Sequence, residues 1–503
     1  MNRLFTSILM IFAVMTASAQ QRLRLINTTD YTAVANDGVK KIGSRQGAPL
    51  PSTGSPKIPV ILVQFSDVKF SSPDDATANE TFQKFFNGSG VPGQRYTGSD
   101  NYGSVSDYFV AQSDSLFHPQ FTVLGPVTLE NGYAFYGSNE RGRDYNISKF
   151  YSEACALAVR NYSVDWTEFD NNGDGSVDFV FFIYAGEGEN TSGDADPYLI
   201  WPKEQASTFV VKVDENDVKF GGYGCSNEMY DGYPDGIGTS CHELSHALGL
   251  PDLYDTSNGL GYGMDYWDLM DAGCYLKNGY APCSYTAYEC DFMGWRPLVT
   301  VNYDDKVTLT LEPTEANGVG YKICNPENVN EYFTLENRQN VGWDNCLGYF
   351  GSRYQSQRAH GLMITHVDYL QSAWSTNSVN RVANHQRLTI VPADGDAYSS
   401  AVYGYDSHFY SSILADLYPG TENVTEMSSY SVYTGGSINM KINNISESNK
   451  QITLKLNGGT EANGIASAEL GGSGERNIVD LYGRRVVNPV RGIYVVDGRK
   501  VVK

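Results

Sequence analysis

Positive charge is scarce in this sequence. Against 58 Asp and Glu stand only 36 Lys and Arg, a formal net charge of −22 over 503 residues. A surface that negative repels phosphate backbones and anionic lipid, so nucleic acid is excluded as a partner. Long hydrophobic runs are also missing. Beyond the N-terminus no segment approaches the 18 or so consecutive apolar residues that read as a membrane span, so no spanning anchor is expected. There is no Cys-x-x-Cys pair, which argues against a cysteine metal cluster, and no internal repeat. Charged residues make up only 19%, whereas 51 Gly, 36 Tyr and 41% apolar residues are present. That balance excludes a disordered chain or a coiled coil and suits a loop-rich, β-containing globular protein of roughly three domains.

The first residues carry an address. Arg3 precedes the apolar run Leu4 to Met15, and Ala17-Ser18-Ala19 follows as a small-residue cleavage pattern. A run this short does not cross a bilayer, which needs about 20 residues. Residues 1–19 therefore read as a signal peptide, and the mature protein is expected to be secreted or at the cell surface. In that oxidising setting the eight cysteines (155, 225, 241, 274, 283, 290, 324 and 346) predict disulfides across the middle of the chain, with the pairing left open.

Composition then divides the rest. Residues 20–54 read as a short propeptide or leader that ends in a flexible Gly- and Pro-rich joint. Ile58–Phe65 and Phe179–Ala185 are continuous apolar runs expected as buried strands. From about residue 300, alternation such as Val307–Leu311, Gly361–Val367 and Ile452–Leu456 predicts a β-rich, sandwich-like region. The expected fold class is α+β: a catalytic domain over 55–299, a β-rich domain over 300–457, a Gly-rich linker over 458–476 and a small β tail over 477–503.

The chemistry concentrates in Cys241-His242-Glu243-Leu244-Ser245-His246-Ala247-Leu248-Gly249-Leu250-Pro251-Asp252. Two histidines four apart share one face of a helix and can grip one ion, and Glu243 beside them can serve as general base. Thr239 or Ser240 is expected to cap the helix start, and Gly249 to turn the chain back at its end. Asp252, ten residues after His242, is the expected third zinc ligand, with Asp255 as its competitor. Two nitrogens and one carboxylate oxygen leave a fourth zinc position for water. Met270, in Trp267-Asp268-Leu269-Met270-Asp271-Ala272-Gly273, is the candidate Met-turn residue beneath the metal.

These segments together resemble the immune inhibitor A family, the M6 metallopeptidases, which are metzincin-like. Gly103–Phe109, Phe169–Gly186, Ile200-Trp201-Pro202, Glu331–Gln339 and His360–Tyr369 extend the resemblance over roughly 55–457. It implies a secreted zinc endopeptidase acting on proteins or peptides, with zinc ligands His242, His246 and Asp252 and base Glu243. No Tyr stands two residues after Met270, so Tyr275 or Tyr266 is the candidate for an oxyanion role. The rival reading is an exported adhesin or glycan-binding protein with a decayed peptidase domain.

Two further patterns are present. Asp170, Asn172, Asp174 and Asp178 space oxygens at loop positions 1, 3, 5 and 9 with Gly175 at 6, the head of a calcium loop, so Ca2+ is a second candidate cofactor. His360, His366 and His385 lack paired spacing and are expected to be structural, and Trp343 and Trp374 to be core. The tail, with Ile478–Val486 and Gly492–Lys503, resembles the C-terminal sorting segments of Bacteroidetes type IX secretion, which implies secretion machinery as a partner.

Overall fold

The structure is a computed structural model. It describes residues 48–89, 100–140, 143–191, 196–213, 216–257, 259–316, 318–348, 358–404 and 407–459, and the backbone of 478–479, 493–496 and 499–502. The expected signal peptide, the leader up to residue 47 and the linker from 460 lie outside the described residues. No helix among the described residues is long and apolar enough to cross a membrane.

The two apolar runs form adjacent parallel strands, Lys57–Gln64 and Val180–Glu187, at the middle of a mainly parallel sheet. Gln120–Thr128 flanks the first and Tyr223–Tyr230 the second; Lys203–Gln205 closes that edge antiparallel. The middle of each of these two central strands is apolar at successive positions because both faces of the sheet are covered. Successive side chains point to opposite faces. Val60, Leu62, Phe181 and Ile183 therefore enter one core, while Ile61, Val63, Phe182 and Tyr184 enter another. Each such burial stabilises by about 2 kcal/mol. Helix Ile147–Asn161 covers the second face through Phe150, Tyr151, Ala154 and Ala158. The first face receives Asp75–Asn87, Val105–Gln112 and the helix that carries the histidines, Ile237–Ala247.

Beyond residue 298 the described residues are rich in β-strands. Five strands (Val299–Val301, Tyr321–Asn325, Asn328–Arg338, Gly361–Asp368 and Leu388–Ile390) form one sheet. Val307–Leu311, Ile442–Ser448 and Gln451–Leu456 form another. Leu309, Leu311, Phe333, Leu335, Ile364 and Leu454 meet between them in one apolar cluster. On the other face of the five-stranded sheet, Tyr332, Met363, Val367 and Leu388 join the core that holds the histidine helix. The core is therefore continuous across the boundary expected near residue 300. In the tail, Ile478–Val479, Ile493–Val496 and Arg499–Val502 form a separate three-stranded antiparallel sheet.

Two expectations are corrected here. All eight cysteines are free, so no disulfide framework is present. Their sulfurs serve as small apolar groups in separate cores or meet other partners: Cys225 Sγ contacts the Tyr151 hydroxyl, and Cys290 Sγ accepts a hydrogen bond from Arg296. Nor is the end of the leader a flexible joint. Leu50 is buried and its N–H donates to Ala247 O at the end of the histidine helix, while Ser52 O accepts from Trp295 Nε1.

Candidate metal centre

The histidine helix is buried along its whole length. Its cap is Gly236; Thr239 and Ser240, expected at the start, lie inside the first turn. The reason is tertiary. The first amides find distant acceptors, Ile237 N on Asn101 Oδ1 at 3.1 Å and Gly238 N on Gly279 O at 3.0 Å, so no local hydroxyl is needed. Gly238 is required for contact, because a Cβ there would lie 1.8 Å from Cys274 O.

The helix ends as a Schellman motif. Gly249 has φ +107°, its N–H donates to His246 O at 2.9 Å, and Leu250 N donates to Ser245 O at 3.1 Å. This turn reverses the chain and brings Asp252 back onto the histidines. Asp252 Oδ1 lies 3.2 Å from His242 Nε2 and 3.1 Å from His246 Nε2. The opposite ring nitrogens are held by backbone carbonyls: His242 Nδ1 by Leu269 O and His246 Nδ1 by Leu250 O, both at 2.8 Å. That assigns the ring protons to Nδ1 and leaves both Nε2 lone pairs facing the carboxylate.

Asp252 Oδ1 itself accepts no hydrogen bond although it is buried. Two lone pairs and an anionic oxygen directed at one point repel one another unless a cation sits between them. The residues present therefore fit a metal ion with nitrogen and oxygen ligands. Asp255, the alternative third ligand, is turned away: its oxygens accept from the N–H groups of Ser257, Leu260 and Gly261.

Glu243 is buried beside this cluster and its Oε2 has no partner. Burial, opposed by the neighbouring His242, pushes its carboxyl up to about 8. A divalent cation held by the adjacent ligands would pull that value down again, toward the neutral range a general base needs. Met270 is fully buried, and its carbonyl accepts from Leu253 N at 2.9 Å, tying its loop to the ligand loop. The same loop supplies Leu269 O to His242, so it supports the ligands from behind.

The flanking cleft, about 280 Å3, is lined by His242, Glu243, Tyr254 and Tyr275 among others. Of the two tyrosines weighed for an oxyanion role, Tyr275 is in the cleft. Tyr266 is not; its ring packs on Phe409. Sequence reasoning missed Tyr254, whose hydroxyl faces Asp252; burial and that charge push it well above the usual range. It also missed Asn377. Its Nδ2 donates to Asp252 Oδ2 at 2.6 Å, and its Oδ1 accepts from Asp252 N at 2.7 Å. Tyr254 stands two residues after Asp252 and was findable, whereas nothing local marks Asn377.

The side chains of the Asp-rich loop lie close together. Carboxylate oxygens of Asp170, Asp174 and Asp178 lie within 4.8 Å of one another. Asn172 Nδ2 donates to Asp178 Oδ1 at 2.6 Å, and Asp170 accepts from the N–H groups of Gly173, Asp174 and Gly175. The three later histidines pair singly with acids, His360 with Glu447, His366 with Glu331 and His385 with Asp368. Trp343 and Trp374 are core.

Residues 49–296 match the family described as "Immune inhibitor A peptidase M6, catalytic domain". Over 224 residues the chain is 25% identical to "Pre-pro-metalloprotease PrtV" of Vibrio cholerae serotype O1, covering 39% of this chain and 24% of that protein. Over 292 residues it is 26% identical to "Immune inhibitor A" of Bacillus thuringiensis subsp. alesti, covering 49% of this chain and 42% of that protein. The chain thus spans less than half the length of these relatives. Over residues 49–296 it carries a metallopeptidase domain of the peptidase M6 (immune inhibitor A) family.

Proposed function

We propose that the protein is a secreted zinc endopeptidase that hydrolyses peptide bonds of extracellular proteins, with His242, His246 and Asp252 as ligands and Glu243 as base. The observation that carries this reading is the convergence of two Nε2 lone pairs on the unpartnered Asp252 Oδ1, with both Nδ1 atoms held by carbonyls. Zinc held there supplies Lewis acidity toward water and a peptide carbonyl. Glu243 takes the proton of the attacking water at its free Oε2 and returns it to the leaving amine nitrogen. Tyr254 and Tyr275 offer hydroxyl donors that stay protonated at neutral pH, suited to a developing oxyanion.

Arg3, the apolar run after it and Ala17-Ser18-Ala19 support export, and the Ile478–Lys503 segment supports delivery through type IX-like machinery. The Asp170–Asp178 loop is read as a stabilising calcium site. The sandwich-like arrangement of the two sheets after residue 298 and a metzincin-like catalytic region belong to the same reading.

Metal analysis and a casein digest test it. Wild type should hold one zinc per chain and cleave casein. Glu243→Gln should keep the zinc and lose activity by about three orders of magnitude or more, because Gln preserves shape but takes up no proton. Zinc lost together with activity, or activity retained, contradicts these roles. For the loop, calcium should raise the melting temperature of wild type and of Asp174→Ala unequally, the variant gaining less; equal gains contradict the calcium reading.

A further inference from the structure

We propose, resting on the zinc reading above, that the segment Asn377 to Gln386 of the β-rich half is the template that shapes the third-ligand loop, with Asn380 as its positioning residue.

The loop has little of its own to hold it. Between the end of the histidine helix at Ala247 and Asp265, the described residues form no helix or strand. Asp252, Leu253 and Tyr254 therefore have no regular ladder, and their buried backbone groups must find partners elsewhere. The segment that supplies them leaves the short helix Gln371–Ser375 and enters the strand Leu388–Ile390. It lies outside residues 49–296, the part that matches the catalytic-domain family.

Its contacts follow the loop. Asn377 takes Asp252 at the amide and at the carboxylate, and its own carbonyl accepts from Thr256 Oγ1 at 3.0 Å. Arg381 O accepts from Ser257 Oγ at 3.2 Å, and Gln386 Oε1 accepts from Gly263 N at 2.6 Å. The approach is close enough that a Cβ on Gly261 would lie 3.2 Å from Asn380 O.

Asn380 sits at the centre of this contact. Its Nδ2 donates to Leu253 O and Leu388 O, both at 2.7 Å. Its Oδ1 accepts from Arg387 N at 2.9 Å and Leu388 N at 3.1 Å. Carbonyls only accept and backbone amides only donate, so these four partners fix which way the side-chain amide is turned. The residue is fully buried, so a lost bond leaves its partner unsatisfied.

On the other side, Leu253 N donates to Met270 O at 2.9 Å. Leu253 is thus clamped at both of its backbone groups, between the Met270 loop and the segment from the β-rich half. Its neighbours are Asp252 and Tyr254, whose hydroxyl faces the Asp252 carboxylate. Fixing the two peptide planes of Leu253 fixes the direction in which both side chains leave the backbone. A ligand set in place in advance binds its ion without an ordering cost.

The experiment uses the full-length chain, stripped of metal and then titrated with zinc. Amide hydrogen exchange over Leu250–Ser257 should be slowed about 100-fold or more relative to a free peptide, with and without zinc. Exchange at free-peptide rates until zinc is added overturns the proposal, because the ion would then shape the loop. Asn380→Ala removes the bond to Leu253 O. Measured where circular dichroism shows it folded, it should bind zinc about 10-fold more weakly in a chelator competition and alter the visible absorption of the cobalt-loaded protein. Global destabilisation alone moves neither quantity in a folded population. Thr389→Val removes a nearby bond to Gly263 O, 2.8 Å long, and should leave both readouts as in wild type. Wild-type affinity and spectrum in Asn380→Ala, or the same loss in both variants, overturns the role of Asn380. If Asn380→Ala does not fold, the exchange of wild type decides alone. No zinc on wild type overturns the zinc reading and this proposal with it, whereas zinc bound without cleavage of any peptide overturns the peptidase reading only.

Discussion

Asp252 is gripped at its amide and at its carboxylate by one residue 125 positions further along the chain. Asn377 thereby fixes which oxygen of Asp252 faces the histidines. Asn377→Ala frees that rotation and should weaken zinc binding by about 10–100-fold, read by competition with a chromogenic chelator, while the melting temperature of the metal-free protein changes little. At this scale the sequence was informative where chemistry is local. The spacing of His242, Glu243 and His246 and the return of Asp252 after Gly249 are short-range facts that any helix with a Schellman end obeys. Asn377 reaches the site only through tertiary packing, and no spacing rule connects it to the ligands.

The histidine helix also carries, just ahead of its first turn, an acid in an unusual state. Burial pushes Asp235 up to about 8, even though Asn227 Nδ2 donates to it at 3.2 Å. Its folded value is thus above the unfolded one of about 3.9. Between those limits the native state binds more protons than the unfolded state, so this group's contribution falls as pH rises from about 4 to 8. Asp235→Asn removes that dependence. Its melting temperature relative to wild type should climb by about 5 °C or more between pH 5 and pH 8; a constant difference across that range contradicts the assignment. Strands were legible at this scale because two covered faces demand unbroken apolar runs, as in Ile58–Val63, and one covered face demands alternation, as in Val307–Leu311. The helix start was not, because its capping groups, Asn101 and Gly279, come from elsewhere in the chain.

Taken whole, the molecule does not divide where its composition does. The fully buried Arg338 donates to both oxygens of Asp344 at 2.8 Å and to Trp267 O at 3.2 Å, strapping the β-rich half to the loop that supports His242. Trp267 Nε1 in turn donates to Asp416 at 2.8 Å. A fragment ending near Arg296 should therefore be insoluble or inactive, while one ending near Gly459 should fold and cleave casein; circular dichroism and a zymogram separate the outcomes. Composition marked residue 300 as a border because local patterning changes there, yet burial across the border depends on contacts that patterning does not encode. The seven buried thiols have one more consequence. Burial raises the pKa of those in the cores and keeps them unreactive, so each waits for its surroundings to part. Timed alkylation followed by mass spectrometry turns them into clocks: Cys155 and Cys225 time the opening of the layer beneath Ile147–Asn161, and Cys241 and Cys290 that of the layer around the histidines. Their order of labelling is the order in which the molecule comes apart.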